Sequence, residues 1–224
     1  MCGRFALATE KHVLEMLYQL EIREDLQQRF NIAPGGEILG VRASAGSPGR
    51  EASLFRWGLI PFWADDPAIG YRMINARSET AAEKPSFRSA YRKRRLLIPA
   101  SGFYEWKKSG QAKQPYYISS KDGAPFSFAG LWERWEKGEE PLESCTILTT
   151  VPNALLKDLH DRMPVIIRPE DYRDWLDPAV PAESVAGFLK PYPSEELTAH
   201  PVSTRVNKPV NDGPDLIKPA GKMQ

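Results

Sequence analysis

The sequence predicts a single α+β domain spanning residues 1–224, with a mainly antiparallel sheet or distorted β-barrel as core and helices at its periphery. Three observations point there. Twenty prolines punctuate the chain, dividing it into the short segments that strands and turns require. Many of those segments are rich in aromatic and branched residues. Helices and strands show no regular βαβ alternation.

Taken in order, Thr9 can cap a helix in which Val13, Leu14, Leu17 and Leu20 recur at helical spacing. EILGVRA reads as a strand, GSPG as a turn, and ASLFRWGLIP as a second strand. RRLLIPA, GFYEWKK, PYYISS, PFSFAGLW and SCTILTT follow as strands with Gly and Pro between them. NALLKDLH reads as a short helix capped by Asn153, and PVIIR as a strand. PEDYRDWL opens a helix with Pro169 at its first position. AESVAGFLK is a further helix and HPVSTRV a last strand. From about residue 210 to 224 the chain is a Pro/Gly-rich tail that winds along the surface or frays.

Composition excludes several function classes. Thirty basic residues against 29 acidic ones leave a formal charge of +1, so any nucleic-acid contact must come from a local patch. Two cysteines, at positions 2 and 145, cannot make a disulfide-rich scaffold. Three scattered histidines give no zinc-ligand spacing, and no metal or cofactor is expected. No apolar stretch approaches the roughly 20 residues of a membrane helix. With no secretory pattern at the N-terminus, the expected location is the reducing cytoplasm.

Cys2 raises a chemical question. Aminopeptidase removal of Met1, which a small second residue permits, would give Cys2 a free α-amine beside its thiol. Their ordinary pKa values are about 7.7–8.0 and about 8.5, so both are partly nucleophilic near neutrality. Such a 1,2-aminothiol reacts well with an aldehyde: the amine forms a Schiff base and the thiol closes a thiazolidine. Read alone, Cys2 is either incidental or a nucleophile of this kind.

MCGRF is joined by NIAPG (31–35), RWGLIPFWA (56–64), MINARSET (73–80), IPASGFYEWKK (98–108), LHDRMPVII (159–167) and HPVSTRVNKP (200–209). In order and spacing these blocks resemble the SOS-response-associated peptidase family, the abasic-site-processing proteins, over nearly the whole chain. The resemblance implies a protein that shields abasic sites in single-stranded DNA through a thiazolidine crosslink at its N-terminal cysteine, acting as a monomer. It also implies removal of its own Met1 and a strand-cleaving lyase activity. Carried over position by position, the nucleophile falls on Cys2, the active-site amide on Asn75, the glutamate on Glu105 and the histidine on His160. The resemblance further implies DNA contacts at Arg4, Pro34, Trp63, Arg77, Thr149 and Arg162. Phe62 stands where some members carry a second Trp.

The residues keep their own readings. An extended MINARSET puts Asn75, Arg77 and Glu79 on one face, either as a polar face in water or to hold a sugar hydroxyl and a phosphate. In GFYEWKK, Phe103 and Glu105 point one way, Tyr104 and Trp106 the other. Glu105 then forms a structural salt bridge or is a carboxyl of raised pKa in a cleft. His160 is structural or a proton-transfer group. Five cations between Arg88 and Arg95 form a solvated face or track phosphates. Cys145 reads as a buried strand thiol. Competing functions are an N-terminal-nucleophile amidohydrolase, a Cys2–His160 peptidase and a non-catalytic single-strand-binding module.

Overall fold

Strands form where branched and aromatic residues are bounded by Gly and Pro, and the largest group closes on itself. The computed structural model describes residues 2–46, 49–110 and 112–221. Met1, part of the expected GSPG turn and the last three tail residues lie outside the described residues.

In chain order the strands are β1 (Phe5–Leu7), β2 (Arg29–Ile32), β3 (Glu37–Ala43), β4 (Arg50–Trp57), β5 (Asn75–Arg77), β6 (Arg95–Ala100) and β7 (Gly102–Ser109). They continue with β8 (Ala112–Ser120), β9 (Phe126–Trp135), β10 (Leu142–Thr150), β11 (Met163–Pro164), β12 (Ile166–Ile167) and β13 (Leu197–Pro201). Helices α1 (Lys11–Tyr18), α2 (Ser78–Ala81), α3 (Arg88–Lys93), α4 (Tyr172–Leu176) and α5 (Ala182–Val185) are short and peripheral.

Strands β4, β3, β6, β9 and β10 form a barrel. Consecutive members pair antiparallel, and β10 returns to β4 in parallel, with Cys145 opposite Trp57. Closure leaves little room inside. A Cβ on Gly40 would lie 2.7 Å from Phe55, and one on Gly130 would lie 2.8 Å from Ile98. Cys145 is fully buried in this wall.

A second sheet, in the order β13-β8-β7-β1-β2, packs on the barrel. Phe5 and Phe103 reach across, with ring centroids 5.3 Å from Trp57 (Phe5) and 6.0 Å from Phe128 (Phe103). Each such buried aromatic contributes roughly 1.5–3 kcal/mol. The alternation of GFYEWKK holds. Phe103 joins this core, while Tyr104 and Trp106 pack on the other face with Val202, Val206 and Leu216. That face is covered by the C-terminal segment. Asp212 Oδ1 accepts from the Phe30 N–H at 2.5 Å, and the Ala220 N–H donates to the Pro201 carbonyl. As far as Ala220, therefore, the tail is pinned.

Several local expectations are corrected. Thr9 does not cap α1; its hydroxyl bonds Ser101 Oγ at 2.8 Å, and Glu10 holds the cap position. NALLKDLH forms hydrogen-bonded turns without a regular helix, although Asn153 Oδ1 does accept from the Leu156 N–H. HPVSTRV leaves the sheet after Pro201 and becomes a 3-10 turn at Thr204–Asn207. MINARSET is extended only to Arg77. Glu79 lies in α2 and so off the Asn75–Arg77 face. In the 88–95 run, Arg94 pairs with Glu133 at 2.6 Å, and Arg95 is buried with its guanidinium on the Trp175 and Asp177 carbonyls.

Candidate active site

The site gathers at the end of β1 that leads back to Cys2. The β1–β7 ladder sets Phe5 opposite Phe103, and the Tyr104 N–H donates to the Arg4 carbonyl at 2.9 Å. Continuing this antiparallel register brings the chain before Arg4 alongside Glu105. From the barrel side β5 runs parallel to β10, with Asn75 opposite Ile147. Asn75 Nδ2 donates to the Cys2 carbonyl at 2.9 Å. Asn75 Oδ1 is buried and has no protein partner among the described residues.

Cys2 is fully buried, and burial pushes its thiol well above the ordinary range, with the Glu105 carboxylate adding to the rise. Glu105 is 2% exposed. Burial raises its pKa to about 7, and the Asp161 charge reinforces the shift. Near neutrality such a carboxyl is about half protonated, so one group can give and take a proton.

His160 reaches the same place from the turn after 153–159. Burial lowers its pKa, Asp161 and the Arg162 N–H oppose that, and Lys108 assists it. The Arg162 N–H donates to His160 Nδ1 at 3.0 Å, which sets the neutral-ring proton on Nε2. Asp161 Oδ1 approaches the same nitrogen at 2.8 Å and favours the charged ring. Glu105 and His160 both line a cavity of about 470 Å³ with Trp106, Lys108, Lys113 and Asn207. The structure thus brings together Cys2, Asn75, Glu105 and His160.

The expected DNA contacts divide into exposed and internal groups. Arg77 is exposed and Trp63 is 43% exposed. Pro34 is half-buried in the β2–β3 turn, where Gly35 takes a φ of +89° that favours glycine and donates its N–H to the Trp57 carbonyl at 2.8 Å. Arg4 Nη1 donates to Asn31 Oδ1 at 2.6 Å and to the Val206 carbonyl at 2.7 Å. Arg162 is 9% exposed and makes a bidentate pair with Glu79, both bonds at 2.7 Å. Thr149 is buried, its hydroxyl donating to the Ala76 carbonyl at 3.4 Å. Sequence reasoning missed Glu79 as the partner of Arg162 and missed Lys113, Trp106 and Asn207 as walls of the cavity. A hairpin register drawn through WKKSGQAKQ would have set Lys108 opposite Lys113.

The profile of the SOS response associated peptidase (SRAP) family matches residues 1–209. The chain belongs to the SRAP family. Within that family it is 44% identical over 226 residues to the abasic site processing protein YoqW of Bacillus subtilis, covering 97% of this chain and 99% of the relative. It is 32% identical to the abasic site processing protein YedK of Escherichia coli, covering 98% and 100%. It is 35% identical over 198 residues to the abasic site processing protein HMCES of Xenopus tropicalis, covering 77% of this chain and 58% of the longer relative. A crystal structure of a protein from Bacteroides thetaiotaomicron superposes with a TM-score of 0.88 at 29% identity, covering 98% of this chain and all of that one. Among the described residues no group of three or more His, Cys, Asp or Glu could hold a metal ion. No helix among them is long and apolar enough to cross a membrane.

Proposed function

We propose that this chain processes abasic sites in single-stranded DNA by forming a thiazolidine crosslink through Cys2 after removal of Met1. The observation that carries the reading is the pairing of Cys2, its carbonyl held by Asn75, with a buried Glu105 whose pKa of about 7 suits it to proton transfer. The abasic-site processing named for three relatives supports it.

The abasic sugar is mostly a closed hemiacetal. Glu105 protonates the ring oxygen while the anomeric hydroxyl loses its proton, releasing the C1′ aldehyde. The Cys2 α-amine adds to C1′, and the carbinolamine loses water to an iminium, with Glu105 again donating. The Cys2 sulfur then bonds C1′, its proton passes to a base in the cleft, and the iminium electron pair returns to nitrogen. The sum is one aldehyde and one aminothiol giving one thiazolidine and one water. His160 serves the sugar hydroxyl and the Schiff-base step. Where the ring does not close, the iminium acidifies C2′ and permits β-elimination, a lyase reaction. The raised thiol pKa describes Cys2 as an internal residue; a new α-ammonium on Cys2 would favour the thiolate.

Arg77, Trp63 and Pro34 offer phosphate, base and turn contacts. Arg4 and Arg162 add positive charge, and Thr149 ties β10 to the Asn75 strand. The deciding experiment is a denaturing gel of the mature protein with single-stranded DNA holding one abasic site. A shifted band without reductant is expected. A chain retaining Met1 should give none, and Cys2→Ala should give one only after borohydride trapping. Equal crosslinking by either variant without reductant would sink the mechanism. Glutamine or peptide hydrolysis with no DNA product would favour the amidohydrolase or peptidase.

A further inference from the structure

Cys2 lies between two flanks of different chemistry. Strand β1 is paired with β7 on one side and β2 on the other. Following both ladders from Phe5 toward Cys2 leads on one side past Glu105 to the β7–β8 hairpin tip. On the other side it leads from Ile32, the partner of Phe5, to the Pro34–Gly35 turn. The turn flank is aromatic. Tyr71, 63% exposed, lies so close to Gly35 that a Cβ there would be 3.2 Å from its ring, and Arg56 stacks on that ring at 5.0 Å.

The hairpin flank is cationic. Lys108 and Lys113 are directly opposite in the antiparallel β7–β8 ladder, and both are exposed. Like charges in that arrangement destabilise a sheet. Among the described residues neither lysine makes an ion pair with a carboxylate, while eight arginines and Lys137 pair with acids elsewhere. Both line the 470 Å³ cavity that contains Glu105 and His160, and the Lys108 charge acts on the His160 ring. Two facing cations lining a reactive cleft, neither ion-paired among the described residues, form a cradle for one anion.

We propose that Lys108 and Lys113 form a phosphate subsite that holds the DNA backbone phosphate on the hairpin side of the abasic sugar. The proposal rests on the abasic-site reading above and adds a residue pair and a direction to it. A phosphodiester between the two ammonium groups removes their repulsion and releases condensed counterions. It also offsets the Lys108 field at His160, so the imidazole becomes more basic once DNA is seated.

The test uses the mature full-length protein and single-stranded DNA carrying a tetrahydrofuran abasic analogue, which has no aldehyde. Binding is measured by fluorescence anisotropy across a salt series for wild type, Lys108→Gln/Lys113→Gln and Lys108→Arg/Lys113→Arg. The Gln variant should show a log K against log salt slope shallower by about 0.7–1.4, one to two single-strand contacts. Its affinity at low salt should fall about 3- to 30-fold, and the Arg variant should stay near wild type. A methylphosphonate in place of the phosphate on one side of the analogue should reproduce the loss in wild type and cause no further loss in the Gln variant. An unchanged slope and affinity in the Gln variant overturns the subsite, as do losses that multiply with methylphosphonate on either side. Failure of wild type to bind the analogue overturns it as well. Because this readout needs no covalent step, a wild type that binds the analogue but gives no product with aldehyde-bearing DNA refutes the crosslinking function alone.

Discussion

Asn75 donates its side-chain N–H to the Cys2 carbonyl oxygen at 2.9 Å, so a strand on the barrel fixes the position of the second residue of the chain. Residues near a chain end are usually among the least ordered of a protein; here Cys2 is fully buried and held across 73 positions of sequence. Loss of this bond is expected to act on geometry more than on folding. Asn75→Ala should lower stability by about 0.5–1.5 kcal/mol, the net value of one such bond. It should slow crosslinking at saturating DNA by tenfold or more. A crosslinking rate equal to wild type, measured on denaturing gels, would remove Asn75 from the site.

Glu105 gives a pH test with an unusual sign. Its pKa rises on folding from 4.5 to about 7, so the folded state binds the proton more tightly than the unfolded state does. Stability therefore falls as pH rises from about 4.5 to about 7, and the deficit is complete above that window. The shift corresponds to about 3 kcal/mol. Glu105→Gln, neutral at every pH, should flatten that part of the stability curve in denaturant titrations. It should also slow crosslinking and its reversal by about 10²–10⁴-fold, the usual range for general acid–base catalysis, with binding of the tetrahydrofuran analogue near wild type. Parallel loss of affinity and rate would make the carboxyl structural.

The Arg162–Glu79 pair is expected to stabilise the fold. Arg162 is nearly buried, while the Glu79 side chain is 47% exposed. Arg162→Ala removes the bidentate pair and the bond to the Thr149 carbonyl, and should cost about 1.5–3 kcal/mol, a value for bonds to charged groups. Glu79→Gln should cost less, because water reaches the pair. The Arg162 guanidinium lowers the Glu79 pKa below 4.5. That contribution is present above pH 4.5 and is lost as pH falls through the folded value. Thermal melts at neutral and acid pH check it: the difference between wild type and Glu79→Gln should shrink in acid.

Trp63 offers an exposed ring in a protein whose other tryptophans are at most partly exposed. A base stacked there is worth about 1–3 kcal/mol. Trp63→Ala should therefore weaken binding to unpaired DNA about 5- to 150-fold, and fully paired abasic DNA should react poorly with wild type. Equal crosslinking of paired and unpaired substrates in a competition assay would argue against a single-strand groove.

Much of the architecture was legible in local patterns. The β3 segment EILGVRA forms its strand over Glu37–Ala43 as read, because branched residues bounded by glycines suit a pleated, half-buried surface. The opposite directions of Glu105 and Tyr104 followed from the two-residue period, and the ordered blocks around Cys2, Asn75, Glu105 and His160 carried the family. Local pattern failed where a tertiary partner competed. Thr9 found Ser101 across the sheet junction instead of a helix N–H, and Glu79 turned into α2 and met Arg162.

By itself the sequence determined the strand periods, the apolar faces and the chemical identity of the reactive groups, since these depend on neighbours a few positions apart. Only the tertiary structure decided that β10 closes the barrel against β4 in parallel, that Arg4 and Arg162 are tied to protein acceptors, and that the Lys108–Lys113 hairpin lies beside His160. Those outcomes join residues up to 202 positions apart. They are chosen by which buried polar groups can be satisfied together once the core has packed, a condition that no local window of sequence contains.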